Sequence, residues 1–249
     1  MSSSLASSRL RWLPLVLTIG AMASIWICLG RAASTLSQPI NWPRSPPISA
    51  LADTSGGFFW FSTGFSALAV LLSGALVCRA AHISATLSSA GARPAHHYKL
   101  NAAWLLLALL AVPFILLMAF NRDDGPTSGL HYLGAGVGMG LICLSGVLHA
   151  ALCLCTFRVD RMMPSSCLRA SLYTCQLVGQ LAGGACFGVW LAGDKSDATL
   201  EWYGFLCVLG AYASYAIFFL YRPLPQGAYV TRTREELLAA SRQGQWQAY

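Results

Sequence analysis

An all-α polytopic membrane protein is the fold class this sequence predicts: a bundle of six transmembrane helices with both termini cytosolic. Three observations carry it. Six apolar stretches, each long enough to cross a bilayer core (~20 residues), run through the chain at about 12–30, 58–80, 100–120, 130–157, 168–192 and 200–221. Only 10% of the 249 residues are charged and 56% are hydrophobic, the balance of an integral membrane protein. The Lys and Arg residues fall mostly in alternate connections, which reads as orientation rather than as a nucleic-acid surface.

The organising stretch is Leu130–Phe157, which holds no Lys, Arg, Asp or Glu. Gly134, Gly136, Gly138 and Gly140 form overlapping GxxxG patterns on it, and such glycines let a second helix backbone come close. His131 stands at its entry.

The other elements follow in order. Residues 1–11 form a short segment with Arg9 and Arg11, and 12–30 is a retained first span, longer than the apolar core of a signal peptide. Arg31–Gly57 is the longest connection, and Pro39, Pro43, Pro46 and Pro47 make it an extended cap rather than a helix. The second span opens on Phe58, Phe59, Trp60 and Phe61, aromatics suited to a membrane interface. Ala81–Lys99 is read as a loop holding His82, Arg93, His96 and His97. The third span carries Pro113, tolerated in membranes. Asn121–Gly129 is a turn with Asp123 and Asp124, and Arg158–Cys167 follows the fourth span.

In the fifth span Gly179 and Gly183 again place small residues four apart, so this helix is expected to pair with the fourth through Gly134 and Gly138. Tyr173, Gln176 and Gln180 share one of its faces, and the two glutamines are expected to hydrogen-bond between helices. Glu201 and Trp202 open the sixth span, and 223–249 is a polar tail. Counting Arg79 and Arg169 with their neighbouring loops, twelve Lys and Arg lie on the side of the termini. Arg31, Arg44, Arg122 and Lys195 lie opposite, which puts both termini in the cytosol.

Nine cysteines without a C-x-x-C pattern indicate neither a zinc site nor a disulfide framework. Cys78, Cys153, Cys155 and Cys167 lie at cytosolic helix ends and are candidates for palmitoylation, against a reading as small apolar packers. No cofactor is implied. His131 and His149 share one helix, 18 residues and thus ~27 Å apart, which does not make a bis-histidine haem site. No acid or base is expected in mid-membrane, which weighs against a proton-coupled transporter.

Three short motifs resemble the damage-regulated autophagy modulator (DRAM) family, which groups with FRAG-type lipid-remodelling and Sfk-type plasma-membrane proteins and their CWH-like domains. Pro47-Ile48-Ser49, then Asp53-Thr54 and a glycine pair, is similar to the family's P-x-I-S-D-T-G stretch, with Ala50-Leu51-Ala52 intervening here. His131 with Gly134-Ala135 is similar to its H-x-x-G-A, and Glu201-Trp202 to its E-W. The resemblance implies a multi-pass regulator or scaffold at an endolysosomal or plasma membrane, partnered by membrane lipids and by a cytosolic protein that reads the loops and tail. It equally admits a GPI-anchor or other lipid-remodelling factor in the Golgi or endoplasmic reticulum. That second activity would use a luminal pocket of Pro47, Ser49, Asp53, His131, Glu201 and Trp202. No Ser or Cys sits beside His131 as a nucleophile, so the non-enzymatic reading leads.

The pocket itself is a geometric expectation. His131 and Glu201 begin their spans at one depth, so they should meet directly or through one water beneath the Pro47–Asp53 segment. On that expectation His131→Ala impairs function more than Gln180→Ala, even with both at normal levels in the membrane.

Overall fold

The computed structural model describes residues 12–36, 47–89, 95–122, 126–155, 166–193 and 198–221. Among them are six α-helices and one short 3-10 turn. The helices are α1 (Leu13–Ala33), α2 (Ser55–Ser89), α3 (Ala95–Ala119), α4 (Ser128–Cys155), α5 (Ser166–Ala192) and α6 (Ala198–Tyr221), and the turn is Ser49–Ala52. Five stretches are long and apolar enough to cross a membrane: Leu13–Ala33, Ser55–Ser84, His96–Ala119, Ser128–Cys155 and Ala170–Ala192. The termini 1–11 and 223–249, the prolines 39–46, Arg93, Asp123, Asp124, Arg158, Arg161, Asp194, Lys195 and Asp197 lie outside the described residues.

Each helix packs on the next in sequence, and α1 also packs on α6, so the six close into a ring. The most extensive interfaces are those of α1 with α2, α3 with α4 and α5 with α6. Three antiparallel hairpins therefore make up the ring, as short connections favour. The end that bears the Ser49–Ala52 turn is called the cap end below, and the opposite one the far end.

Local chemistry at the cap end shows why the chain turns where it does. The α1 helix closes with the Thr35 hydroxyl donating to the Ala32 carbonyl at 2.7 Å. Thr54 is the N-cap of α2: its Oγ1 accepts the Gly57 N–H at 2.9 Å, a cap of ~1 kcal/mol. The Thr35 and Thr54 hydroxyls meet at 2.6 Å and join the two helix ends. Since Thr35 already donates to Ala32, Thr54 is the donor in that pair. A Cβ on Gly57 would lie 2.1 Å from the Leu51 carbonyl oxygen, so only glycine lets the turn fold back onto α2.

Two expectations are corrected. Ala81–Lys99 is not a loop, because α2 runs to Ser89 and α3 starts at Ala95. The apolar spacing that buries Leu76 and Ala80 continues through Ile83 and Leu87, so the helix keeps a face to pack beyond its span. The glycines also choose different partners. A Cβ on Gly134 would fall 2.5 Å from Met118 N and 2.6 Å from the Phe114 oxygen, and one on Gly138 would fall 2.9 Å from the Ile115 side chain. The Gly134/Gly138 face therefore seats α3, not α5. Gly179 and Gly183 in turn meet Cys207, Ala211, Val208 and the Gly204 carbonyl of α6. Adjacent helices in a hairpin have first access to each other's small residues, and both glycine pairs are used inside hairpins. The α4–α5 contact is made elsewhere, where the Gln180 side chain lies across Gly146 in the space a side chain there would fill.

Candidate functional site

Glu201 lies in the first turn of α6, where a negative charge suits the helix dipole. It is only 6% exposed, and its carboxylate reaches the chain 153 residues earlier. Oε2 accepts the Ile48 N–H at 2.9 Å and Oε1 the Ser49 N–H at 3.3 Å. Those N–H groups belong to the N-cap and first residue of the 3-10 turn, where helical geometry leaves donors without partners. Glu201 thus satisfies them and fastens the cap to α6.

His131 lies in the first turn of α4 and is 1% exposed. Its Nδ1 sits 2.8 Å from the Asn121 carbonyl oxygen and 3.0 Å from that of Met118. Both are acceptors, so Nδ1 carries a proton, and in the neutral ring Nε2 keeps a lone pair. The last carbonyls of α3 gain a donor by this contact. Gly134, one turn on, is where the α3 backbone leaves no room for a Cβ, so the H-x-x-G spacing is explained locally: the glycine admits α3 and the histidine caps it.

Between the two lies a cavity of about 20 Å³ bounded by His131, Glu201, Ile48, Phe61, Trp190 and Phe205, room for a single water. The structure therefore brings His131, Glu201 and the backbone at 48–49 together. The rest of the sequence-predicted set stands apart in role. Ser49 contributes its N–H and is buried, Pro47 accepts the Ala50 N–H in the turn, and Asp53 is exposed at the turn's end. Trp202 is buried among core residues.

A second polar cluster, which sequence reasoning missed, occupies the far end. Arg79 is 2% exposed inside α2. Its Nε donates to His149 Nε2 at 3.2 Å, and its Nη2 to Cys153 Sγ at 3.4 Å. On the other side of the imidazole, Nδ1 lies 3.0 Å from the Tyr215 hydroxyl. Because Nε2 receives the guanidinium N–H, His149 is neutral with its proton on Nδ1, donating to Tyr215. The Trp104 ring stands edge-on to His149 at 4.8 Å, so α2, α3, α4 and α6 meet on one imidazole. Arg79 is thus not a loop cation, and a charged side chain lies within a membrane-length helix. The available signal was spacing: Arg79 falls three residues after Leu76, and His149 and Cys153 are one turn apart on α4.

The remaining candidates divide. Gln176 donates from Nε2 to Ser214 Oγ of α6 at 2.8 Å, the interhelical bond expected of it. The Oε1 atoms of Gln176 and Gln180 are buried with no hydrogen-bond partner among the described residues. Cys153, 1% exposed and engaged by Arg79, is too enclosed for palmitoylation, whereas Cys155 and Cys167 are exposed and Cys78 is half-buried. No group of three His, Cys, Asp or Glu that would hold a metal occurs among the described residues. Comparison with family models, with curated proteins and with solved structures gives no match to this chain.

Proposed function

We propose that this chain is a six-span integral membrane protein with cytosolic termini that acts as a non-catalytic regulator or scaffold, of the type its motifs resemble, at an endolysosomal or plasma membrane. The supporting observation is what the cap-end groups are occupied with. Both Glu201 oxygens hold the cap backbone and His131 Nδ1 holds the end of α3, around a cavity of about 20 Å³. A lipid headgroup is many times larger than the one water such a space admits. These residues fasten a luminal cap, and the work falls to the cytosolic segments, which take a protein partner while the helices face lipid.

Charge supports the orientation. With Arg79 set aside as a buried residue, eleven Lys and Arg remain on the far-end side against four on the cap-end side. Protease protection on sealed vesicles tests it: the 158–167 and 224–249 segments should be cut from the cytosolic face, and cleavage from the lumen would overturn the six-span arrangement.

The regulator reading is tested by complementation in cells lacking the protein, scoring autophagic flux and surface display of GPI-anchored proteins together. Removing 224–249 should abolish rescue, while His131→Ala present at normal levels should rescue as well as Gln180→Ala. Loss of GPI-anchor display with His131→Ala alone would instead favour the lipid-remodelling activity.

A further inference from the structure

The ring of helices encloses a second cavity, of about 50 Å³, lined from α2, α3, α4 and α6 by residues that include Phe65, Leu72, Ala108, Met139 and Leu209. Its lining segments 65–76, 139–142 and 205–212 centre on the midpoints of the apolar stretch Ser55–Ser84, of α4 and of α6. The α3 segment 108–115 lies one turn nearer the cap. In a bilayer this depth is hydrocarbon.

Two polar side chains reach the cavity, and both already have partners. Ser73 Oγ donates to the Ala69 carbonyl at 2.6 Å, and the Tyr212 hydroxyl donates to the Ile142 carbonyl at 3.3 Å. A buried water needs two to four polar partners, so these walls favour an apolar guest. One water takes about 10–15 Å³ of such space, so this cavity admits roughly three or four carbon-sized groups.

The wall is weakest between α2 and α3. Inside the hairpins glycines bring the helices together: Gly64 meets Cys28 of α1, Gly134 meets Phe114 and Met118 of α3, and Gly183 meets Val208 of α6. The α3 helix holds no glycine, and those of α2 turn to α1 and the cap, so side chains alone close the α2–α3 seam. Ser73 of α2 and Val112 of α3 line the cavity yet are only half-buried, as is Ile142 of α4. Outside the seam, Val70 and Val77 of α2 and Leu106 and Leu109 of α3 are exposed.

We infer that this cavity is a lateral lipid site: the end of a phospholipid acyl chain enters from the bilayer between α2 and α3, and its last few carbons fill the centre of the ring. Apolar walls, an apolar mouth and a mid-bilayer depth all select hydrocarbon, and the headgroup stays outside.

The inference rests on the bundle lying in a bilayer, as proposed above, and its test separates the two. The purified full chain is placed in nanodiscs of phosphatidylcholine bearing a diazirine at the chain terminus, irradiated, and its adducts are mapped by mass spectrometry. Adducts are expected on the buried lining residues Leu72, Met139 and Leu209 as well as on the outward-facing Val70 and Leu144. A lipid with the diazirine beside its glycerol should label the lining roughly fivefold less, because its photophore stays near the interface. Ala108→Leu and, separately, Ala69→Leu fill the cavity and should each lower the lining adducts roughly fivefold, with those on Val70 and Leu144 unchanged. Adducts on the outward residues alone overturn the inference without the help of any variant, and leave the bilayer placement standing. Lining adducts that survive both substitutions undiminished, or that both lipids give equally, overturn it as well. Adducts on neither set would overturn the bilayer placement and the inference together.

Discussion

The two ends of the bundle each bury an ion, and they hold it by different means. At the cap end the ion is an anion, Glu201, held by the backbone N–H groups of Ile48 and Ser49. At the far end it is a cation, Arg79, which donates to the side chains of His149 and Cys153. A backbone clasp needs only that a short turn arrive with free N–H groups. A side-chain clasp needs three helices in mutual register, so each partner depends on the others being placed. The cap end should therefore loosen locally when disturbed, and the far end should fail as a unit.

The largest expected effect sets the scale for both. Gly134→Leu forces a side chain into the α3 backbone, 2.5 Å from Met118 N, and should abolish the folded bundle, with aggregation in size-exclusion chromatography. Gly140→Leu, on the same helix with nothing within 4 Å of its Cβ position, should change stability by less than about 0.5 kcal/mol. Equal effects would mean that α4 is not seated on α3 in this register.

Next is Arg79→Ala. It leaves the His149 lone pair and the Cys153 thiol without the guanidinium, and should cost about 3 kcal/mol in thermal unfolding in nanodiscs. Glu201→Gln keeps an acceptor for one N–H and should cost about 1 kcal/mol, with faster exchange confined to the 48–54 segment. The comparison breaks if Glu201→Gln destabilises globally as much as Arg79→Ala does. Tyr215→Phe, the smallest, removes the hydroxyl that accepts from His149 Nδ1 and should cost about 1 kcal/mol or less. In a double-mutant cycle with Arg79→Ala its effect should shrink, because both act through one imidazole.

The same contrast explains what was readable in the chain. The apolar stretches marked the helices, because in a bilayer every backbone group must be satisfied within its own segment. The end of α2 was missed because His82 and Ser84 looked like loop residues while Ile83 and Leu87 continued the buried stripe. Glu201 and Pro47-Ile48-Ser49 could be marked as belonging together, since acids at helix starts and a rigid cap both have local signatures. The Gly134/Gly138 face was recognised as a contact surface, but its partner was not. GxxxG states that a backbone comes close and is silent on whose it is. Arg79 was the least legible residue, for it ends an apolar run and so resembles a cytosolic flank. Only the rotation of α2 against α4 and α6 turns it inward to His149 and Tyr215.

The contact of α1 with α6 closes the ring, and it bears on the order in which the chain must be written. Six antiparallel helices bring the start of α1, Leu13, and the end of α6, Tyr221, to one end of the bundle, on neighbouring helices. No helix interface then depends on where the polypeptide is cut. A circular permutant, joined from Tyr221 to Leu13 by a flexible linker and opened between α2 and α3, would keep all three hairpins intact, since the connection it severs lies between two of them. In this architecture the bundle itself has no first helix.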